Sequence, residues 1–170
     1  MGGVERELSE VRIEPWGEGD LDLLRGLVGD PAMMEHLGGP GTEAKIAERH
    51  GRYVRPGSNQ FKIVVGGEGA GWVGYWEREW QGNDVFEIGW AVIPTFQGRG
   101  IASAGTVAAV AAARAERARR FLHAYPSVEN APSNAVCRKA GFVLQGPYEF
   151  EYPEGHLMLC NDWRLDLFAG

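Results

Sequence analysis

The chain has 170 residues, 44% of them apolar and 24% charged, with a formal net charge of −6. That length suits one domain spanning residues 1–170, large enough to bury a core, and the acidic balance disfavours a surface that binds nucleic-acid backbone broadly. The longest apolar stretch, 106–113, is alanine-rich and soon meets Arg114, so a membrane span is not expected. Glu5, Glu7 and Glu10 do not give the basic-then-apolar order of a secretory signal, and Cys137 and Cys160 form neither a metal-spaced pair nor a disulfide framework. A cytoplasmic protein is the expectation. Arginine far outnumbers lysine beside much glycine and alanine, a composition that hints at a bacterial source.

Val11 and Ile13 alternate with charged residues, which predicts a first strand ending at Pro15. Asp20 is expected to cap a helix carrying Leu21, Leu24, Leu27 and Val28 on one stripe. After Gly29-Asp30-Pro31 a short helical piece through Met33, Met34 and Leu37 is expected, then a second helix from Thr42 to about Tyr53. Phe61 to Val65, Gly71 to Trp76 and Val85 to Val92 read as an antiparallel meander, the last two joined by a Gly-Asn-Asp turn. A long helix runs from Ile101 to about Ala118 with Val107 and Val110 inward, and the arginines 114, 117, 119 and 120 near its end suit a helix C-terminus. Phe121 to Tyr125 is a short strand, Ala131 to Ala140 a short helix, and two strands close the chain, about Val143 to Phe150 and Leu157 to Leu167. The order β-α-α-β-β-β-α-β-α-β-β is a mixed α/β (α+β) fold, not a repeating βαβ pattern.

Gln97-Gly98-Arg99-Gly100-Ile101-Ala102 leads from a strand into the long helix. Glycine admits positive φ and close backbone approach, and free amides at a helix start favour an anion, to which Arg99 adds a charge-assisted donor. The loop lacks the Gly-Lys-Ser/Thr of a Walker sequence, and Ser103 stands where the dinucleotide fingerprint needs its third glycine. By geometry alone it is an anion site or a plain tight turn.

The segment resembles motif A of the GCN5-related N-acetyltransferases (GNAT), Gln/Arg-x-x-Gly-x-Gly/Ala, with Gln97, Gly100 and Ala102 in the fixed places. The block from Asn130 to Phe142 is similar to the Asn-x-x-Ser…Lys-x-Gly-Phe motif of the branch that acetylates ribosomal-protein N-termini, the RimJ/RimL-like branch. The resemblance implies the GNAT fold: a mostly antiparallel twisted sheet of seven strands, the fourth and fifth splayed, flanked by four helices. It implies acetyl-CoA as co-substrate without a metal, an amine acceptor (a protein N-terminus or a small molecule), and no nucleic-acid or membrane partner. It further implies main-chain contacts from Trp90, Ala91 and Val92 to the pantetheine arm and pyrophosphate binding by residues 97 to 102. Asn130, Ser133 and Asn134 then stand near the cofactor, although Asn130 equally suits a cap on the helix that follows.

Acetyl transfer to an amine needs a proton acceptor, an oxyanion donor and, where useful, a proton donor for the thiolate. Glu87, on the strand face opposite Phe86, Ile88 and Trp90, is the candidate base; its alternative is a salt-bridged strand carboxylate. Many relatives carry a tyrosine acid four residues before the Gly-Phe pair; Cys137 stands there, either a weak donor or a buried apolar residue. The dispersed histidines 36, 50, 123 and 156 make a metal unexpected, and Trp72, Trp76, Trp80 and Trp90 suit packing better than a substrate cage. The aromatic and acidic stretch 148–154 either attracts a cationic amine or forms a hairpin with alternating faces. A catalytically silent acetyl-CoA-binding module and a nucleotide-binding protein are the readings from other classes. The long final strand and the tryptophans are compatible with a homodimer.

Overall fold

The computed structural model describes Gly3 and residues 10–34, 41–151 and 154–169. The strands are β1 (Val11–Pro15), β2 (Gln60–Val65), β3 (Glu68–Trp80), β4 (Asn83–Val92), β5 (Phe121–Ala124), β6 (Val143–Glu151) and β7 (Leu157–Asp166). The helices are α1 (Leu21–Val28), α2 (Glu43–Tyr53), α3 (Ile101–Glu116) and α4 (Ala131–Lys139). One sheet holds all seven strands in the order β1-β2-β3-β4-β5-β7-β6. Every pairing is antiparallel except β4 with β5. The element order and the mostly antiparallel sheet are those expected from the sequence.

Period-two alternation divides the strands between two cores. Ile63, Val65, Val73, Tyr75, Phe86 and Ile88 meet α3 and α4 on one face. On the other face, α1 and α2 bury Leu24, Leu27, Val28, Ile46 and Tyr53 against Trp16, with Trp72 and Ala91 of the sheet packed beside them. The small residues of α3 set its close approach. A Cβ on Gly105 would come within 2.7 Å of Ile63, and Ala109 and Ala113, four and eight residues on, are fully buried.

Four local expectations are corrected. Asp20 does not cap α1: its carboxylate accepts from Gly17 N at 2.8 Å and from Lys62 Nζ at 3.0 Å, tying the chain before the helix to β2. Residues 31–34 form a turn rather than a helix, because Asp30 Oδ1 accepts the amides of Ala32 and Met33; Leu37 and His36 lie outside the described residues. Val107 is 53% exposed, since the inward stripe of α3 runs through Ile101, Gly105, Ala109 and Val110 and leaves it on the far side. The β3–β4 turn sits at Gln81-Gly82, both with positive φ, and Asn83 already belongs to β4. Thr42 does cap α2, accepting from Lys45 N.

The basic run after α3 is absorbed by structure. Arg117 takes the left-handed C-cap position, Arg114 donates to the carbonyls of Leu167 and Ala169, Arg119 pairs with Glu77, and Arg120 pairs with Asp166.

Candidate active site at the strand fork

β4 and β5 share only two rungs, Phe86 with Leu122 and Glu87 with His123. Past them the strands separate, β4 remaining on β3 as far as Gly71–Val92 while β5 remains on β7. The rest of β4 therefore presents a free edge to the opening. Ile93 N donates to Ala70 of β3, so alternation turns the main chain of Val92 and Trp90 toward the fork. Ala91 is turned the other way. Its carbonyl lies against Gly71, where a Cβ would come within 2.2 Å of it. The expected main-chain contact from Ala91 is thus corrected, and its side chain packs toward α1 and α2 instead.

The glycine loop stands at the mouth of the fork. After the 3-10 turn Pro94–Phe96, Gln97 Nε2 donates to Val92 O at 2.9 Å and fastens the loop to the end of β4. Gly98 and Gly100 both have φ of 77°, and Gly100 is the N-cap of the 16-residue α3. A Cβ on Gly98 would meet nothing within 4 Å, so the loop surface there is open. The first amides of α3, from Ile101 onward, have no intrahelical acceptor and carry the positive end of the helix dipole. Arg99 lies over the Phe96 ring at 5.5 Å, whereas the Ile101 side chain is buried in the core. These features fit a pyrophosphate held by main-chain amides.

The second motif block is mostly engaged with the protein itself. Asn130 Oδ1 caps α4 by accepting from Ser133 N at 3.2 Å. Asn134 is buried, donating to Ser127 O and Asn130 O and accepting from Asn161 Nδ2 and Trp163 Nε1. An amide has two donor hydrogens and one oxygen with two lone pairs. All four positions are occupied, so Asn134 serves as a clamp between α4 and β7 and has no hydrogen bond left for a ligand. Cys137 is 0% exposed within the α3–α4 core, and burial pushes its thiol up to about 12. That placement corrects its reading as a proton donor at the fork: it is a small core residue.

Glu87 lies on the floor of the fork, on the sheet face toward α1 and α2. Its side chain is 17% exposed and forms a close ion pair with Arg78 of β3. Burial raises the Glu87 carboxyl above its ordinary value, against the opposing pull of Arg78 and His123. Gly89, next along that face, leaves room for indoles: a Cβ there would stand 2.9 Å from Trp72 and 3.1 Å from Trp76. Trp72 stacks on Tyr53 and on Trp76, completing an aromatic wall beside Glu87. The packing role expected of the tryptophans therefore coincides with a lining role.

Sequence reasoning missed the neighbours of Glu87 on β5 and β7. His123 and Asp162, 4% and 2% exposed, are joined by a 2.6 Å contact between Nδ1 and Oδ1. Trp80 Nε1 donates to the other Asp162 oxygen at 3.1 Å. The Arg78 guanidinium lies 4.8 Å over the Tyr125 ring and 5.3 and 5.4 Å over Trp80 and Phe150. In the 148–154 stretch Tyr148 and Phe150 turn inward against Trp80, while Glu149 and Glu151 face out. Alternating faces describe it; Tyr152 and Pro153 lie outside the described residues. The available signal was a histidine in the otherwise apolar β5, while Asp162 sits in a strand that also carries Asn161, Arg164 and Asp166 and gave no comparable signal.

The family model for the acetyltransferase (GNAT) domain matches residues 10–143. The chain belongs to the GNAT acetyltransferase family, and its enzyme class is accordingly acyl transfer. An acetyltransferase of the GNAT family from Bacillus anthracis is 21% identical, covering 94% of this chain and 96% of that one, with a TM-score of 0.79. The Salmonella typhimurium acetyltransferase that modifies the N-terminal serine of ribosomal protein L7/L12 is 20% identical, with coverage of 93% and 95% and a TM-score of 0.73. The aminoglycoside acetyltransferase AAC(6')-Ib in complex with coenzyme A is 19% identical, with coverage of 92% and 94% and a TM-score of 0.71. No curated protein matches the chain in sequence. Among the described residues, no group of three or more histidine, cysteine, aspartate or glutamate side chains is placed to hold a metal ion.

Proposed function

We propose that this GNAT protein transfers acetyl from acetyl-CoA to a primary amine by direct attack within a ternary complex. The observation that carries the reading is the fork itself: a two-rung ladder that opens beside a glycine loop at a helix start, with a carboxylate on its floor. The amides of residues 98–102 hold the pyrophosphate, with Arg99 adding charge. The β4 edge at the Trp90 main chain and the Val92 N–H, the Val92 carbonyl being taken by Gln97, receives the pantetheine as an added strand would be received. The Val92 amide is the nearest main-chain donor for the oxyanion. Glu87, partly desolvated, draws the amine and accepts a proton from it. The acceptor is a protein N-terminus or a small amine, the two classes that the similar RimL-type and aminoglycoside enzymes modify.

Thiol release from acetyl-CoA tests this directly, with spermidine, kanamycin and a tetrapeptide bearing a free N-terminus as acceptors. Turnover is expected with at least one amine. Glu87→Gln is expected to lower kcat about a hundredfold while acetyl-CoA affinity stays nearly intact. Tight acetyl-CoA binding without turnover on any amine would return the silent module instead.

A further inference from the structure

His123 is placed where a second proton acceptor would be needed. It is paired across the parallel ladder with Glu87, on the last rung before β4 and β5 part, so both side chains project from the same face of adjacent strands. The Asp162 carboxylate is enclosed, and its two oxygens are taken by His123 Nδ1 and Trp80 Nε1. A carboxylate only accepts, so that contact fixes a hydrogen on Nδ1, and when the ring is neutral its lone pair lies on Nε2. Among the described residues Nε2 has no hydrogen-bond partner, and the side chain keeps 6% exposure. The ring is held flat on Tyr125, with the planes inclined by 13°. The charged and titratable groups around it are Glu87 of β4, Arg78 of β3, Tyr125 beyond the end of β5, and Cys160, Asp162 and Arg164 of β7.

The stoichiometry of the reaction gives this arrangement a purpose. An alkylammonium must lose two protons to become an amide: one to free its lone pair, the other from the zwitterionic tetrahedral intermediate. The C–N bond forms with the nitrogen pair, the C–S bond breaks with its pair leaving on sulfur, and nothing is oxidised. One proton ends on the coenzyme A thiolate and the other in solvent. A single carboxylate accepts one proton, and Glu87 is already engaged by Arg78. We propose that His123, oriented by Asp162, is the second proton acceptor of the acetyl-transfer site, working in series with Glu87. This rests on the acetyltransferase reading above.

The test is the pH dependence of kcat with saturating acetyl-CoA and whichever of spermidine, kanamycin or the tetrapeptide turns over fastest. The wild-type acid limb is expected to require two ionisations. In His123→Gln, whose amide can still donate to Asp162, the limb should need only one, and kcat should fall ten- to a hundredfold with little change in either KM. Asp162→Asn should lower kcat at least tenfold yet retain both ionisations. A wild-type limb fitted by one ionisation overturns the proposal without reference to any variant, as does a His123→Gln protein with wild-type kcat and limb. A wild type that binds acetyl-CoA but releases no thiol overturns the acetyltransferase reading and this proposal together, so the two failures are distinguishable.

Discussion

The two sides of the fork are built from different materials. On the donor side the working groups are main-chain amides of residues 98–102 and the free edge of β4, and side chains matter chiefly by their absence at Gly98 and Gly100. On the acceptor side they are side chains from four strands: Arg78 of β3, Glu87 of β4, His123 of β5 and Asp162 of β7. A main-chain site tolerates drift at every position that keeps backbone conformation. A side-chain site is rebuilt by one substitution. A family that keeps its donor and changes its acceptor has reason to divide its site this way.

The largest effect that would test the division lies in the second motif block. Resemblance put Asn134 on the donor side, and its four hydrogen bonds put it in the scaffold. Asn134→Leu leaves the Asn161 amide and the Trp163 indole N–H without their acceptor, whereas the carbonyls of Ser127 and Asn130 keep the main-chain N–H groups of Asn130 and Asn134. Each buried orphan costs about 1–3 kcal/mol, so a loss of roughly 3 kcal/mol or more in urea unfolding is expected. The folded fraction should still bind acetyl-CoA with near-normal affinity. A protein of normal stability that fails to bind acetyl-CoA would return Asn134 to the donor side.

What was readable in the sequence follows the same line. Glycines at 98 and 100 before an alanine-rich helix announce a backbone conformation, and local sequence suffices to specify it. Val85–Trp90 gave the strand and face of Glu87 by alternation alone. His123 and Asp162 are 39 residues apart and meet only because β7 pairs with β5 rather than joining the outer edge. Neither local periodicity nor composition records that pairing. Cys137 was ambiguous for a related reason: a helix face is known only when its neighbours are, and here they enclose it.

On the donor side, Gly98→Val is expected to weaken acetyl-CoA about tenfold and leave the amine KM unchanged. A β-branched residue at a φ of 77° costs about 1–2 kcal/mol in strain, and relief of that strain reshapes the loop amides. Because a Cβ at Gly98 meets nothing within 4 Å, global stability should fall by no more than the strain itself. Isothermal titration with acetyl-CoA and a thermal melt separate the two quantities. A change in amine KM without a change in cofactor affinity would break the assignment of this loop to the donor.

The smallest effect concerns the acceptor side in the absence of any ligand. Burial raises the Glu87 carboxyl above its ordinary value in the folded chain, while the unfolded chain keeps that ordinary value. Below the unfolded value both states hold the proton. Between the two values the unfolded state releases it while the folded state retains it, so rising pH favours unfolding across that window. Glu87 therefore contributes a decline in stability as pH rises from the ordinary carboxylate range, and Glu87→Gln lacks it. The difference in Tm, variant minus wild type, should grow as pH rises above the ordinary carboxylate value of about 4, and Arg78→Met, which removes the opposing charge, should steepen the wild-type decline. A Tm difference that stays flat with pH would mean that Glu87 is solvated like a surface carboxylate, and the fork floor would lose the partial desolvation on which its role as a base depends.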